Sequence, residues 1–226
     1  MLKKQVSSLV ESNNHKQSNC ITNRNSKLAV AVLASGNGSN LQALIDAQQE
    51  GSLSYEIKVV ITDKHGARAV SRARESNIVA YEYAPKDYPS KADYEQQVLN
   101  CLNKHNIELV VLAGYMRIVG ATLLNAFDGR MINLHPSLLP SFQGIHAPQQ
   151  AIDAGVKVSG CTIHFVDEGL DTGPIIAQQP VTVTFADNAD TLQAKIQKLE
   201  HKLIVDVVEL IAQGRVKRHG RIIEII

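Results

Sequence analysis

The chain has 226 residues and a mass of 24.7 kDa, room for one large domain or two small ones at roughly 100–200 residues each. Hydrophobic residues make up 44%, charged residues 20%, and 23 basic against 22 acidic side chains leave a net charge of +1. That balance excludes general disorder and provides no basic excess for holding a nucleic acid or an anionic membrane. The longest purely apolar run, residues 28–34, is far short of the ~20 residues that cross a bilayer. Cys20, Cys101 and Cys161 are odd in number and lack a Cys-x-x-Cys spacing, which argues against a disulfide framework and a thiolate zinc site. The expectation is a soluble cytoplasmic protein, an enzyme or a binding domain.

Residues 1–27 are rich in Asn, Ser, Gln, Lys and Arg, with Val6, Leu9, Val10 and Ile21 scattered among them. They lack the apolar core of a secretory signal, and Arg24 alone is too little for an arginine-rich targeting peptide. A disordered polar extension is expected there, followed by one domain over residues 28–226. Leu28–Ala34 is apolar on both faces, as a strand inside a parallel sheet is. A Gly/Ser/Asn turn leads into a helix over Asn40–Gln49, then a strand over Tyr55–Thr62, a helix over Ala67–Glu75 and a short strand over Ile78–Tyr83. Ser90, with Asp93 in capping-box position, opens a longer helix whose buried stripe is Tyr94, Val98, Cys101 and Leu102. A strand over Glu108–Ala113, a short helix over Gly120–Phe127 and a strand over Arg130–Leu134 follow. His146–Ala154 reads as a helix, and Val158–Val166 and Ile175–Val183 as strands. Thr191–Gln213 carries Leu192, Ile196, Leu199, Leu203, Val207 and Leu210 at helical spacing, with Gly214 where a C-terminal cap belongs. Strands alternating with helices predict an α/β protein with a doubly wound, mostly parallel sheet flanked by helices.

Three segments could carry chemistry. Residues 35–40 (SGNGSN) follow the first strand and open the first helix, leaving unpaired N–H groups at the positive end of a helix, a natural phosphate site. Leu41 stands where a dinucleotide loop needs its third glycine, and no Gly-Lys-Ser/Thr follows, so dinucleotide and ATP readings are weakened. A plain tight turn is the alternative. Residues 133–140 (NLHPSLLP) end a predicted strand, and alternation puts Asn133 and His135 on one face. An amide donor beside an imidazole suits oxyanion stabilisation with proton donation, while these residues alone read more readily as a histidine bonded to its own loop, with Pro136 and Pro140 setting its conformation. In the third segment Asp167, Glu168 and Asp171 lie in a turn with Gly169 and Gly173. Such residues often merely form turns, although one held against a histidine would raise its pKa. There is no His-Glu-x-x-His or other metal spacing and no Gly-x-Ser-x-Gly elbow. Cys161 reads as inert packing in an apolar strand, and His146, His164 and His201 as structural histidines.

Together SGNGSNLQA, LAGYMRI, NLHPSLLP and GCTIHFVDEGLDTGPII, in this order from about Leu28 to Gly214, resemble the phosphoribosylglycinamide formyltransferases. That family is folate-dependent and has a Rossmann-like fold. The resemblance implies transfer of a formyl group from 10-formyltetrahydrofolate to the amine of glycinamide ribonucleotide in purine synthesis, with no metal. It implies that Gly38, Ser39 and Asn40 hold the nucleotide's phosphate end, with Gln197 and Glu200 reaching its ribose or amide. Met116, Arg117, Ile118 and Val119 would line the folate pocket. Lys91, a point charge, stands where bacterial members carry a planar Arg fork. Asn133 would bind the formyl oxygen, His135 would donate a proton, and Asp171 would raise the pKa of His135. Small-molecule substrates are the implied partners, for a monomer or homodimer with neither nucleic acid nor membrane. Methionyl-tRNA formyltransferases share the Asn, His and Asp set, but look longer and carry a basic surface. Formyltetrahydrofolate hydrolases carry an N-terminal regulatory domain, for which residues 1–27 are too few. The phosphate loop favours a phosphoribosyl acceptor over a sugar amine. A non-catalytic folate or nucleotide-binding module would be expected to have lost part of the catalytic set.

Overall fold

Along β1 (Leu28–Leu33) every residue is buried, and alternate side chains feed two different cores. Val30 and Val32 meet Leu41, Leu44 and Ile45 of α1 (Ser39–Glu50) and Leu192, Ile196 and Ile204 of α6 (Ala189–Ala212). Ala31 and Leu33 meet Tyr94, Val98 and Leu102 of α3 (Lys91–Lys104) and Leu123 of α4 (Ala121–Ala126). A strand apolar on both faces requires a helical layer on each side, and this sheet has both. The computed structural model describes residues 26–226. The extension expected over 1–27 therefore lies, up to residue 25, outside the described residues, as does Cys20.

The remaining strands are β2 (Tyr55–Thr62), β3 (Val79–Glu82), β4 (Leu109–Leu112), β5 (Met131–His135), β6 (Val158–Phe165) and β7 (Ile175–Thr182). They form one sheet in the order β3-β2-β1-β4-β5-β6-β7. The first five in that order pair in parallel, β6 pairs antiparallel to β5, and β7 antiparallel to β6. Chain order reverses between β1 and β4, and the crevice beyond the carboxyl ends of such neighbours is where ligands bind in open α/β sheets. α2 (Arg68–Glu75) and α5 (Ala147–Asp153) complete the helices. The expected doubly wound architecture is present. No described helix is long and apolar enough to cross a membrane.

Local signals explain most element ends. The Ser90 hydroxyl accepts from the backbone N–H of Asp93 and caps α3 as expected. Gly214, at φ 70°, follows α6. The start of α6 differs from expectation: it begins at Ala189, because Asn188 and Thr191 form a reciprocal capping box that places Thr191 inside the first turn. Two elements were not expected. Pro85–Asp87 is a single 3-10 turn. After α6, β8 (Val216–His219) and β9 (Ile222–Ile225) form a separate hairpin joined by Gly220 and Arg221, with Gly220 at φ 64°. A two-residue loop with glycine first is a favoured hairpin turn.

Candidate active site

The cleft opens at the switch point between β1 and β4 and has a volume of about 920 Å³. It is lined by every residue expected at the site except Lys91. Lys91 instead begins α3, with its ammonium 3.7 Å from Glu95. The loops after β1 and β4 are bonded to each other at the head of the cleft. Ser35 donates its backbone N–H to Gly114 O at 3.1 Å, and the Ser35 hydroxyl accepts from Met116 N at 2.8 Å.

The 35–40 loop is shaped by Gly38, whose φ of 70° is left-handed. A Cβ there would lie 2.9 Å from both Cα and Cβ of Ala69. Glycine is therefore required twice, by backbone conformation and by the closeness of α2. Arg72 of α2 fastens the outside of the loop, donating from Nε to Asn37 O at 2.8 Å and from NH2 to Asn37 Oδ1. On the inside, α6 supplies two side chains. Gln197 donates to Ser39 Oγ at 2.8 Å, and Asn40 Nδ2 donates to Glu200 Oε2 at 3.1 Å. Glu200 is only 4% exposed, and burial pushes its carboxyl pKa up, with the Asn40 bond partly opposing. Asn40 Oδ1 is buried with no partner among the described residues, a spare acceptor beside helix α1's free N–H groups. An anion with adjoining hydroxyl or amine donors matches this set.

At the carboxyl end of β5, Asn133 and His135 lie on one face of the strand. β6 runs antiparallel beside them, with His164 directly opposite Asn133. The turn from β6 to β7 returns Asp171 into the same space. Asn133 Nδ2 lies 3.3 Å from Asp171 Oδ1 and 3.2 Å from His164 Nε2. His135 Nδ1 faces Asp171 Oδ2 at 3.4 Å, while its Nε2 bonds to Phe142 O at 2.8 Å. Since that carbonyl only accepts, Nε2 carries the proton, and Nδ1 is the nitrogen turned to the carboxylate. The Asp171 carboxylate also accepts from Gly144 N at 2.9 Å. The pairing of Asp171 with His135, which no spacing in the sequence could establish, is a property of the fold.

Burial dominates the protonation of His135 and lowers its pKa. The Phe142 carbonyl and the Asp171 charge both push upward, as an opposite charge should, but His164 opposes them and the net direction is down. Asp171 raises the His135 pKa, as expected, but it offsets only part of the burial effect. Burial would raise the Asp171 carboxyl, but bonds from His164 and Gly144 N and the charges of both histidines outweigh it and hold the pKa low. A carboxylate stays ionised beside a largely neutral imidazole.

Met116 and Ile118, 68% and 65% exposed, present an apolar lip that a planar ring system could cover. Arg117 is anchored by Nε to Asp63 Oδ2 at 2.8 Å, and Val119 is buried behind it. Sequence reading missed four contributors. His164 bonds within the Asn133–His135–Asp171 cluster rather than packing alone, and an imidazole in a mostly apolar strand was its one signal. Phe142 and Gly144 act through backbone groups that any residue carries. Lys64 adds a cation to the cleft lining, without a distinguishing motif. Cys161 is buried as expected, and burial pushes its thiol up to about 12, so it is no nucleophile. Among the described residues no group of side chains could hold a metal ion.

Fold and cluster together define a group-transfer architecture: a glycine-shaped loop at a switch point, an apolar lip, and an amide–imidazole–carboxylate set between them. The chain belongs to the formyl transferase family, whose pattern matches residues 28–208. It is 46% identical over 179 residues to the phosphoribosylglycinamide formyltransferase of Bacillus subtilis (strain 168), covering 79% of this chain and 92% of that protein. It is 41% identical over 198 residues to the trifunctional purine biosynthetic protein adenosine-3 of Bos taurus, covering 87% of this chain but 20% of that longer protein. Among solved structures, glycinamide ribonucleotide transformylase 1 from Symbiobacterium toebii superposes with a TM-score of 0.88 at 40% identity, covering 90% of this chain and 96% of that one.

Proposed function

We propose that this chain transfers the formyl group of 10-formyltetrahydrofolate to the amine of glycinamide ribonucleotide. The observation that carries this reading is the single cleft in which the 35–40 loop, the Met116–Val119 lip and the Asn133–His135–Asp171 cluster all meet. The loop N–H groups hold the phosphate, Gln197 and Glu200 meet the ribose and amide, and the folate ring lies on the lip, its formyl carbon at Asn133.

The amine nitrogen attacks the formyl carbon, and the carbonyl electron pair moves onto oxygen. Asn133 donates to that oxygen through Nδ2. His135 is largely neutral at rest, but the growing negative charge beside it favours its cationic form, which donates from Nδ1. Asp171 orients the ring and compensates its charge. The attacking amine's proton passes to water bound to Asp171 and on to the folate N10; the oxyanion collapses back to a carbonyl as the C–N10 bond breaks, leaving its electron pair and that proton on N10. The folate brings the one-carbon unit, and the chain supplies position and charge. A fixed donor at the oxyanion is worth about 10²–10³ in rate.

The test is a steady-state assay with 10-formyltetrahydrofolate, following folate product with and without glycinamide ribonucleotide. Product that requires the nucleotide supports the reading. Product without any acceptor would mean a hydrolase, and no product in either case would mean another amine acceptor.

A further inference from the structure

The β8–β9 hairpin lies beyond residue 208, where the family pattern ends. Its turn reaches the turn that carries Asp171: Arg221 donates from Nη2 to the backbone carbonyl of Thr172 at 2.6 Å. We propose that Arg221 is a positioning residue, through which the C-terminal hairpin braces the β6–β7 turn and keeps the Asp171 carboxylate against His135 and Asn133.

The turn needs such a brace. Residues 166–174 contain neither helix nor strand, and Asp171 sits at φ 54°, a left-handed conformation that costs a non-glycine residue energy. Bonds within the turn come from Asp167, which accepts from Gly169 N and from Thr172 Oγ1. They fold the turn on itself without fixing it to the sheet. On one flank Gly144 N donates to Asp171 Oδ2, and Gln143 Nε2 donates to Asp171 O at 3.2 Å. On the other flank Arg221 holds the next carbonyl with a charged donor, the stronger kind of hydrogen bond. There is no slack further on, because a Cβ on Gly173 would fall 1.7 Å from Phe165 O. The hairpin is itself tied down: Val216 and Ile223 pack against the main core, Arg218 lies 3.8 Å from Asp128, and the hairpin's base is closed by Ile226 N donating to Arg215 O. Arg221 therefore projects from an anchored turn rather than a free tail.

This inference rests on the proposed role of Asp171, so the test must separate the two. Arg221→Ala, Arg221→Lys and, as a control on the same hairpin, Lys217→Ala are made in the full chain. Each is assayed for kcat and both KM values across pH, and the His135 imidazole is titrated by NMR, which needs no turnover. Arg221→Ala should lower kcat about three- to tenfold and leave both KM values within about twofold. It should also move the His135 titration to lower pH, because a loosened carboxylate opposes burial less. Arg221→Lys should recover part of the rate, and Lys217→Ala should match wild type. An Arg221→Ala protein with unchanged kcat and unchanged His135 titration would overturn the brace, as would an equal loss in Lys217→Ala. Wild type that fails to turn over while Arg221→Ala still shifts the titration would overturn the formyl-transfer reading and support the brace.

Discussion

Replacing Asp171 by Asn keeps the side-chain shape and removes the charge, and the hydrogen bonds set the consequence. The carboxylate accepts from Gly144 N at one oxygen and from Asn133 Nδ2 at the other. An amide has a single acceptor oxygen, so in either orientation its NH2 meets one of those donors head-on. One donor of this enclosed cluster then lacks a partner, which costs about 1–3 kcal/mol, a fall in Tm of roughly 2–12 °C for a chain of this size. Catalysis should suffer more, by about 10²–10⁴ in kcat, because Asn133 and His135 lose orientation together. The pH profile carries the sign. Asp171 pushes the His135 pKa up against burial, so its neutralisation lets that pKa fall further. The alkaline decline of kcat should therefore move to lower pH. A pH–rate profile and a thermal melt of Asp171→Asn are the measurements. An alkaline limb that stays in place, with a rate within about tenfold of wild type, would refute the coupling.

Gly38→Ala forces a Cβ into a left-handed residue already pressed against Ala69, so a loss of about 1–3 kcal/mol in stability is expected. It should come with a raised KM for the nucleotide and an unchanged KM for the folate, read from saturation curves in each substrate. Glu200→Gln keeps an acceptor for Asn40 and removes a buried charge whose pKa burial raises. The charge costs stability above the ordinary Glu pKa, so Tm at neutral pH should rise while the nucleotide binds more weakly, which calorimetry with the nucleotide would show. His135 has a folded-state pKa below its ordinary value, so the unfolded chain takes up the proton first on acidification. Stability should decline as pH drops below about 6.5. His135→Asn should flatten that part of a Tm-against-pH curve.

The parts of this molecule legible in sequence are those where one residue type does one local job. Leu28–Leu33 is apolar on both faces because each face meets a helical layer. Ser90 and Gly214 mark helix ends through chemistry confined to a single turn. Asn133 and His135 share a face because strands alternate. What stayed hidden depends on which strands become neighbours. His164 lies opposite Asn133 only because β6 runs antiparallel to β5, a pairing that hydrophobic alternation does not encode. The β8–β9 hairpin carries only exposed or half-buried side chains, so no apolar periodicity announced it, although its two-residue turn beginning at Gly220 was a usable signal. Lys91 shows the limit of alignment by motif: it occupies the expected position, yet its ammonium faces Glu95 outside the cleft lining.

Backbone strain points to the same place as the side-chain chemistry. Among the described residues five other than glycine have φ near 55°: Asn77, Asn106, Phe142, His146 and Asp171. Asn77 and Asn106 follow the ends of α2 and α3, where Asn adopts this conformation readily. Of the other three, His146 and Asp171 line the cleft and Phe142 bonds to His135 there, and for them it costs about 1–2 kcal/mol each. Two of them, Phe142 and Asp171, place groups that contact His135. Phe142 presents the carbonyl that holds the proton on His135 Nε2, Asp171 turns its carboxylate back to Nδ1, and His146 caps α5 at the cleft lining. Glycine at position 142 would relieve strain but free the carbonyl that selects the His135 tautomer. The residue there matters through its backbone, and this is why the conformation, rather than the amino acid, marks the site.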